Sequence, residues 1–303
     1  MAAQSDRLLS GYDNVVQSLN KPGTGAAAGA DGNDTVSGSQ GNTTVTLGNG
    51  KDMVTLGGYN NVVTMGSGNN MVVARQSNAK VTLGDGNDQV TLGGYGNIVT
   101  VGNDNNQVSG AQGTTTVTLG DGNNTISLAS NTNVIKVDDG MNSVVAGAGS
   151  DQFTAGSGNN TLTLAGRSNI VMLGGGIDAV NASSGDSTTV NGTTLSLQGG
   201  NQETVFLGTG PSNIDDLSTT TTVVASPTSG SAKILDFAKD AGFVLDLKGG
   251  VGGFTSTAAV VNALQTDGHG GTQLLLGSGS EAITIDFVST LKSALTNAHF
   301  KIG

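Results

Sequence analysis

The sequence predicts an all-β fold, a right-handed parallel β-roll of stacked nine-residue units closed by a C-terminal β-rich cap. Three observations carry this. A nine-residue period runs without insertion or deletion from Ala30 to Ala182, giving seventeen units. The seventh place of every unit is apolar: Val or Ile from Val36 through Val180, except at Phe153 and Leu162. Finally, the 303 residues include 50 Gly but only seven Phe, three Tyr and no Trp, too few large side chains for a conventional core. A fixed short period means that each unit buries its apolar side chains against its neighbours.

The unit from Gly84 to Leu92 shows the local logic. Its first half, Gly84-Asp85-Gly86-Asn87-Asp88, is a turn: glycine permits positive φ, and Asp or Asn bonds back to local backbone. Its second half alternates, with Gln89 and Thr91 outward and Val90 and Leu92 inward, which is a short strand. Nine residues of turn plus strand cannot fold alone. Two units therefore make one coil, with a sheet on each face and a column of turns along each edge.

Two outward patterns recur. Val62, Ile98, Val134 and Ile170 repeat every thirty-six residues and should form an exposed stripe, read either as β-propensity or as a lateral contact face. Thr occupies the outward eighth place at Thr46, Thr55, Thr64, Thr82, Thr91, Thr100 and Thr118, interrupted by Val73, Lys136, Val145 and Met172. Such an array is also how several β-solenoid antifreeze proteins meet ice.

Charge narrows the partners. A net charge of −11 with three Arg (Arg7, Arg75, Arg167) argues against nucleic acid or an anionic membrane and favours divalent cations. The absence of Cys excludes disulfides and thiolate metal sites. No stretch is long and apolar enough to insert in a membrane, and the N-terminus lacks the basic and apolar regions of a cleavable signal peptide.

The run Gly84-Asp85-Gly86-Asn87-Asp88-Gln89-Val90 resembles the Gly-Gly-x-Gly-x-Asp-x-U-x repeat of RTX (hemolysin-type) calcium-binding proteins, and Gly29 to Val36 is a second close match. The resemblance covers about half the chain. It implies Ca²⁺ clamped between successive turns on one edge by Asp carboxylates and turn carbonyls. The chain departs from the pattern where Leu replaces the first Gly (Leu47, Leu56, Leu83, Leu92), which enlarges the apolar interior. It departs again where Asn replaces Asp, which lowers cation affinity. At the fifth place only Asp34, Asp52, Asp88, Asp151 and Asp178 are acidic.

Units beginning at Ala30 and every eighteen residues after nearly all keep Gly at the third place, including Gly32, Gly50, Gly86 and Gly122, with Asp or Asn always at the fifth. The intervening units carry Tyr59, Ser77 and Tyr95 at the third place and Thr43, Ala79 and Thr115 at the fifth. One edge is therefore expected to be metal-competent and the other mostly metal-free. Asp31, Asp85, Asp121, Asp138 and Asp139 add carboxylate to the competent edge. The expected ligand set is Asp31, Gly32, Asp34, Gly50, Asp52, Asp85, Gly86, Asp88, Asp121, Gly122, Asp139, Asp151 and Asp178, with Asp34 and Asp52 the leading pair. The bland alternative is a column of Asn amide ladders that stacks without any ion.

After Ala182 the register slips, and Gly199 to Leu207 looks like one more coil in a shifted frame. The domains read as an N-terminal segment (1–29), the roll (30–210), a Ser/Thr-rich transition that is either a degenerate coil or a linker (211–231), and a cap (232–303). The cap order runs Ile234-Leu235-Asp236-Phe237, Val244 to Leu247, a helix near Ser256 to Gln265, Gly271 to Leu276, Ala282 to Phe287 and Ala298-His299-Phe300-Lys301-Ile302. It is similar to the C-terminal region of RTX proteins exported by type I secretion, with His299 replacing an Asp of the closing motif. That resemblance implies an uncleaved C-terminal export signal and type I secretion machinery as a partner.

No Gly-x-Ser-x-Gly elbow, His-Glu-x-x-His or phosphate loop is present, and His269 and His299 sit in no catalytic constellation. A non-enzyme is expected: a secreted calcium-binding structural protein whose roll self-assembles or lines the cell surface or extracellular matrix, without membrane insertion. The alternative is an adhesin or ice-binding module.

Overall fold

The computed structural model describes residues 7–9, 15–17, 25–110, 112–129, 132–167, 169–184, 187–190, 193–198, 203–208, 210–216, 220–235, 237, 242–277 and 282–303. The fold is a parallel β-solenoid, matching a right-handed β-roll. Two compact units divide between Gln152 and Phe153.

In the first unit, strands alternate strictly between two sheets. One sheet stacks Thr35–Gly38, Met53–Leu56, Met71–Ala74, Gln89–Leu92, Gln107–Gly110, Thr125–Leu128 and Ser143–Ala146. The other stacks Thr43–Thr46, Val62–Thr64, Lys80–Leu83, Asn97–Val101, Thr115–Leu119 and Val134–Val137. Every residue pairs with its equivalent one coil on, as in Val90↔Val108 and Val99↔Val117. A constant register follows from a constant period, because any one-residue slip would turn the valines outward.

The interior is dry and layered. All seventeen seventh-place side chains are at most 1% exposed. The ninth-place column of the first sheet alternates in size: Gly38, Leu56, Ala74, Leu92, Gly110, Leu128, Ala146. Each leucine fills the space its small neighbours leave; a Cβ on Gly110 would lie 3.0 Å from Leu128 Cδ2. The ninth-place column of the other sheet instead runs Leu47, Met65, Leu83, Val101, Leu119, Val137, large at every coil. The thirty-six-residue stripe is exposed, from 36% at Val62 to 47% at Ile170.

In the second unit the coils continue with changing length. Ile170 pairs with Ser187, Thr194 with Asn213, Ser212 with Ala232 and Thr222 with Val244, all parallel. The Ser/Thr-rich stretch thus carries coil strands, Ser212–Asp216 and Thr221–Ala225, where the sequence left linker and coil open. Residues 199–202 of the shifted-frame coil lie outside the described residues, as does Asp236.

The end of the chain closes the stack. Ile283–Phe287 adds in parallel to Ala232–Leu235 and turns back on Thr272–Leu276 in antiparallel, while Phe300–Ile302 adds to Val244–Leu247. The helix Thr257–Ala263 starts where the Ser256 side chain accepts from the Ala259 N–H. Phe237, Phe243, Phe287 and Phe300 meet edge to face, and His299 meets Phe237 in the same way at 5.1 Å. Buried Asp246 holds Lys248 and Lys301, each at 3.1 Å, tying in the final strand. Antiparallel pairing and charged side chains at this coil are among the devices that keep a β-stack from presenting a flat edge to another chain.

Candidate functional site

The two edges of the first unit are built from different turns. On the Gly-rich edge the third place takes positive φ at every described coil: 145° at Gly32, 152° at Gly50, 134° at Gly68, 132° at Gly86 and 132° at Gly122. There is no room for a side chain either, since a Cβ on Gly50 would lie 1.9 Å from the Gly32 carbonyl. Asp104 is the one residue of this column with a side chain, held at φ 86°. On the opposite edge the positive φ sits at the fourth place at Asn42, Asn60, Asn78, Gly96 and Thr132, and at the third place only where that is glycine, at Gly113 (68°) and Gly149 (140°).

Three hydrogen-bond ladders run along the Gly-rich edge. At the second place, outward-facing Asp31 accepts from the Asn49 N–H (2.7 Å), Asp85 from Asn103 (2.9 Å) and Asp121 from Asp139 (3.0 Å). At the fourth place, Asn33 accepts from Lys51, Asn87 from Asn105 and Asn105 from Asn123, each between 2.8 and 2.9 Å. At the fifth place the ladder is buried and runs the other way. Asp52 Oδ1 accepts from the Asp34 N–H (2.8 Å), Asn70 from Asp52 (3.1 Å), Asp88 from Asn70 (2.7 Å), Asn106 from Asp88 (3.0 Å) and Asn124 from Asn106 (3.0 Å). The side chains expected as ligands are thus also structural acceptors that satisfy strand-entry N–H groups.

Asn and Asp differ in what they do with the second polar atom. Asn70 Nδ2 donates to the carbonyls of Gly66 and Gly68 in its own turn, at 3.2 and 3.1 Å. Asn106 and Asn124 repeat this on Gly102 and Asp104, and on Gly120 and Gly122. At Asp52 and Asp88 the corresponding atom is a carboxylate oxygen, Oδ2, buried and without a hydrogen-bond partner. An oxygen cannot bond a turn's carbonyls, so at these two turns the closure that the Asn amide provides is missing, and a proton or a cation on Oδ2 would supply it.

Electrostatics reflects this. Burial pushes Asp88 up from an ordinary 3.8 to about 6, against the lowering N–H bond from Asn70, with Asp104 and Asp85 adding repulsion. Asp52 is also raised, first by burial and then by Asp34 and Asp31. Because the folded chain holds the Asp88 proton more tightly than the unfolded chain, the contribution of Asp88 to ion-free stability is fully present below pH 3.8 and is lost as pH climbs through about 6. Allowing for solvent close to the turn, the loss is roughly 1–2 kcal/mol. Asp88→Asn restores an amide that reaches the turn carbonyls. In EGTA at pH 7 it should raise stability by about that amount and flatten this step of the pH profile, measured by urea melts at pH 4.5 and 7.

The expected ligand residues do not all share one site. Asp34, Asp52, Asp88, Gly32, Gly50, Gly86 and Gly122 stand on the Gly-rich edge, with Asp31, Asp85, Asp121 and Asp139 exposed around them. Asp151 stands on the opposite edge, where its Oδ1 accepts from Asn133 N–H and Nδ2 at 2.7 and 2.9 Å. Its burial raises its pKa as well. Asp178, in the second unit, accepts both N–H and Nδ2 of Asn160 at 2.8 Å. Among the described residues no three His, Cys, Asp or Glu side chains group closely enough to hold a metal by themselves, so any ion would need backbone carbonyls. Asp104 was not expected; its signal in the sequence is the single break in the Gly column.

No protein-family model matches the chain, and no curated protein or solved structure is similar to it.

Proposed function

We propose that this chain is a secreted calcium-binding structural protein whose roll stacks and self-assembles at the cell surface or in the extracellular matrix. The observation that carries the reading is the turn left without amide closure at Asp52 and at Asp88. Each presents a buried, unpartnered carboxylate oxygen in a turn whose Asn counterparts close with an amide hydrogen. A hard divalent cation takes oxygen ligands from carboxylate and carbonyl and removes the repulsion that otherwise calls for a proton. The residues of this edge fit such an ion, with Asp52 or Asp88 supplying charge and turn carbonyls supplying neutral oxygen. The exposed carboxylates of Asp31, Asp85, Asp104 and Asp121 raise its local concentration.

The Asn ladders limit the role of the ion. At Asn70, Asn106 and Asn124 the amide already satisfies the turn, so those coils stack unaided. Calcium therefore reinforces particular steps. At millimolar calcium and the weak affinities of extracellular modules, each site adds on the order of 1 kcal/mol. Export in a calcium-poor interior followed by locking outside fits the export signal suggested by the C-terminal motifs.

The test is a calcium titration of EGTA-stripped protein at pH 7, followed by far-UV circular dichroism, thermal melting and light scattering. Calcium should raise the melting temperature and then produce large particles. Asp52→Asn/Asp88→Asn should be stable without calcium and gain little from it. A wild-type melting temperature indifferent to calcium would sink the metal reading, and persistent monomers would sink assembly.

A further inference from the structure

The edge opposite the carboxylates carries a groove of about 340 Å³ lined by Tyr59, Tyr95, Arg75, Gln76, Ser77 and Gln112. Its origin lies in the repeat. Tyr59, Ser77 and Tyr95 occupy the third place of three consecutive turns, so a small serine separates two tyrosines that lie two coils apart. At the spacing of parallel strands that is roughly 10 Å. Ser77 also fixes the far wall, since its Oγ accepts from the Tyr95 N–H at 2.9 Å. Gly94 keeps the floor open; a Cβ there would come 2.4 Å from Ser77 Oγ.

The wall chemistry is uncommitted. Tyr59 and Tyr95 are 56% and 61% exposed, and among the described residues neither phenol has a hydrogen-bond partner, the Tyr95 ring lying over the small Gly113 of the next turn. Arg75 forms no ion pair among the described residues, although the chain carries a net charge of −11. The amides of Gln76 and Gln112 are likewise unpaired. Strand propensity does not explain these residues, because they lie in turns; the same place elsewhere on this edge is held by Gly41, Gly113, Asn131, Gly149 and Arg167, so the two tyrosines flanking Ser77 are particular to this stretch.

We propose that this groove binds an acidic saccharide, with a hexuronate ring seated between the tyrosines. Two coils of strand spacing separate the tyrosine positions by roughly 10 Å, leaving room between them for one sugar ring against an aromatic face. The guanidinium takes the carboxylate as a two-pronged, charge-assisted pair. The amides, phenols and serine hydroxyl meet ring hydroxyls, as binding sites with convergent polar groups do. The inference goes beyond the calcium reading and uses the other edge, supplying an anchoring chemistry for a matrix or surface role.

The test uses the full chain and a glucuronate–N-acetylglucosamine tetrasaccharide, with its carboxyl methyl ester as the neutral counterpart, by calorimetry in 1 mM calcium and again in EGTA. The acid should bind, and Arg75→Gln or esterification should each weaken it about tenfold. Tyr59→Ala and Tyr95→Ala should each weaken it by a similar factor. These side chains are exposed, so unchanged circular dichroism is expected for every variant. No binding at millimolar saccharide, or equal binding by wild type and the tyrosine variants, would overturn the site. Equal binding of acid and ester would overturn the acidic assignment. Saccharide binding that persists while calcium has no effect would leave this groove standing and the metal reading fallen.

Discussion

Gly68→Ala is expected to cost about 3 kcal/mol or more and to disrupt the stack around its coil. The backbone there holds φ at 134°, which L side chains rarely adopt, and a Cβ would sit 1.8 Å from the Gly50 carbonyl. Both penalties act together, because relieving the clash means moving one coil away from the next. That movement would break the Gly50 N–H bond to the Ser67 carbonyl (2.9 Å) and strain the Asp52–Asn70 step of the ladder beside it. Gly58, on the opposite edge, is a useful comparison: its φ is not positive, although a Cβ would still meet the Gly41 amide at 2.0 Å. Urea melts and hydrogen exchange of the two alanine variants should show Gly68→Ala losing protection across the coils holding Gly50, Gly68 and Gly86. A loss under 1 kcal/mol would mean that the turns are more compliant than this geometry allows.

Leu92→Ala should cost about 4–5 kcal/mol, near the top of the range for a buried leucine, whereas Leu83→Ala should cost about 3 kcal/mol. Both side chains are buried, at 3% and 4% exposure, and both fill the ninth place of a strand. Their columns differ. Leu92 is flanked along its column by Ala74 and Gly110, so truncation leaves three small residues in a row and nothing able to fill the void. Leu83 lies between Met65 and Val101, and methionine is flexible enough to move into part of the space. Equal losses from thermal or urea melts would show that the size alternation does not govern packing. Ala74→Leu should also destabilise, by overfilling the space beside Leu56 and Leu92.

These expectations rest on different amounts of sequence and structure. The nine-residue period with its apolar seventh place specified the coil, its two sheets and the dry interior. A one-residue slip would expose that entire valine column, so the pattern admits a single register. The outward stripe at Val62, Ile98, Val134 and Ile170 followed from the same alternation. Even the difference between edges was legible, because Gly at nearly every third place of one edge demanded a backbone conformation that Tyr59 or Ser77 does not need.

The sequence alone could not assign the second atom of each fifth-place side chain. Asn70 and Asp88 look interchangeable as turn residues, yet stacking buries both, and burial turns one into a satisfied amide and the other into a carboxylate held at about 6. Their hydrogen bonds come from residues eighteen positions away, so no local rule reveals them. Asp151, by contrast, could be placed by counting: its unit is an even one, and it stands on the opposite edge, accepting from Asn133. The groove over Ser77 likewise needed the coils assembled, since Tyr59, Arg75 and Tyr95 meet only when three turns are brought to strand spacing. Period fixes which face a residue takes; only the stacked structure decides its neighbours, and with them its charge and its chemistry.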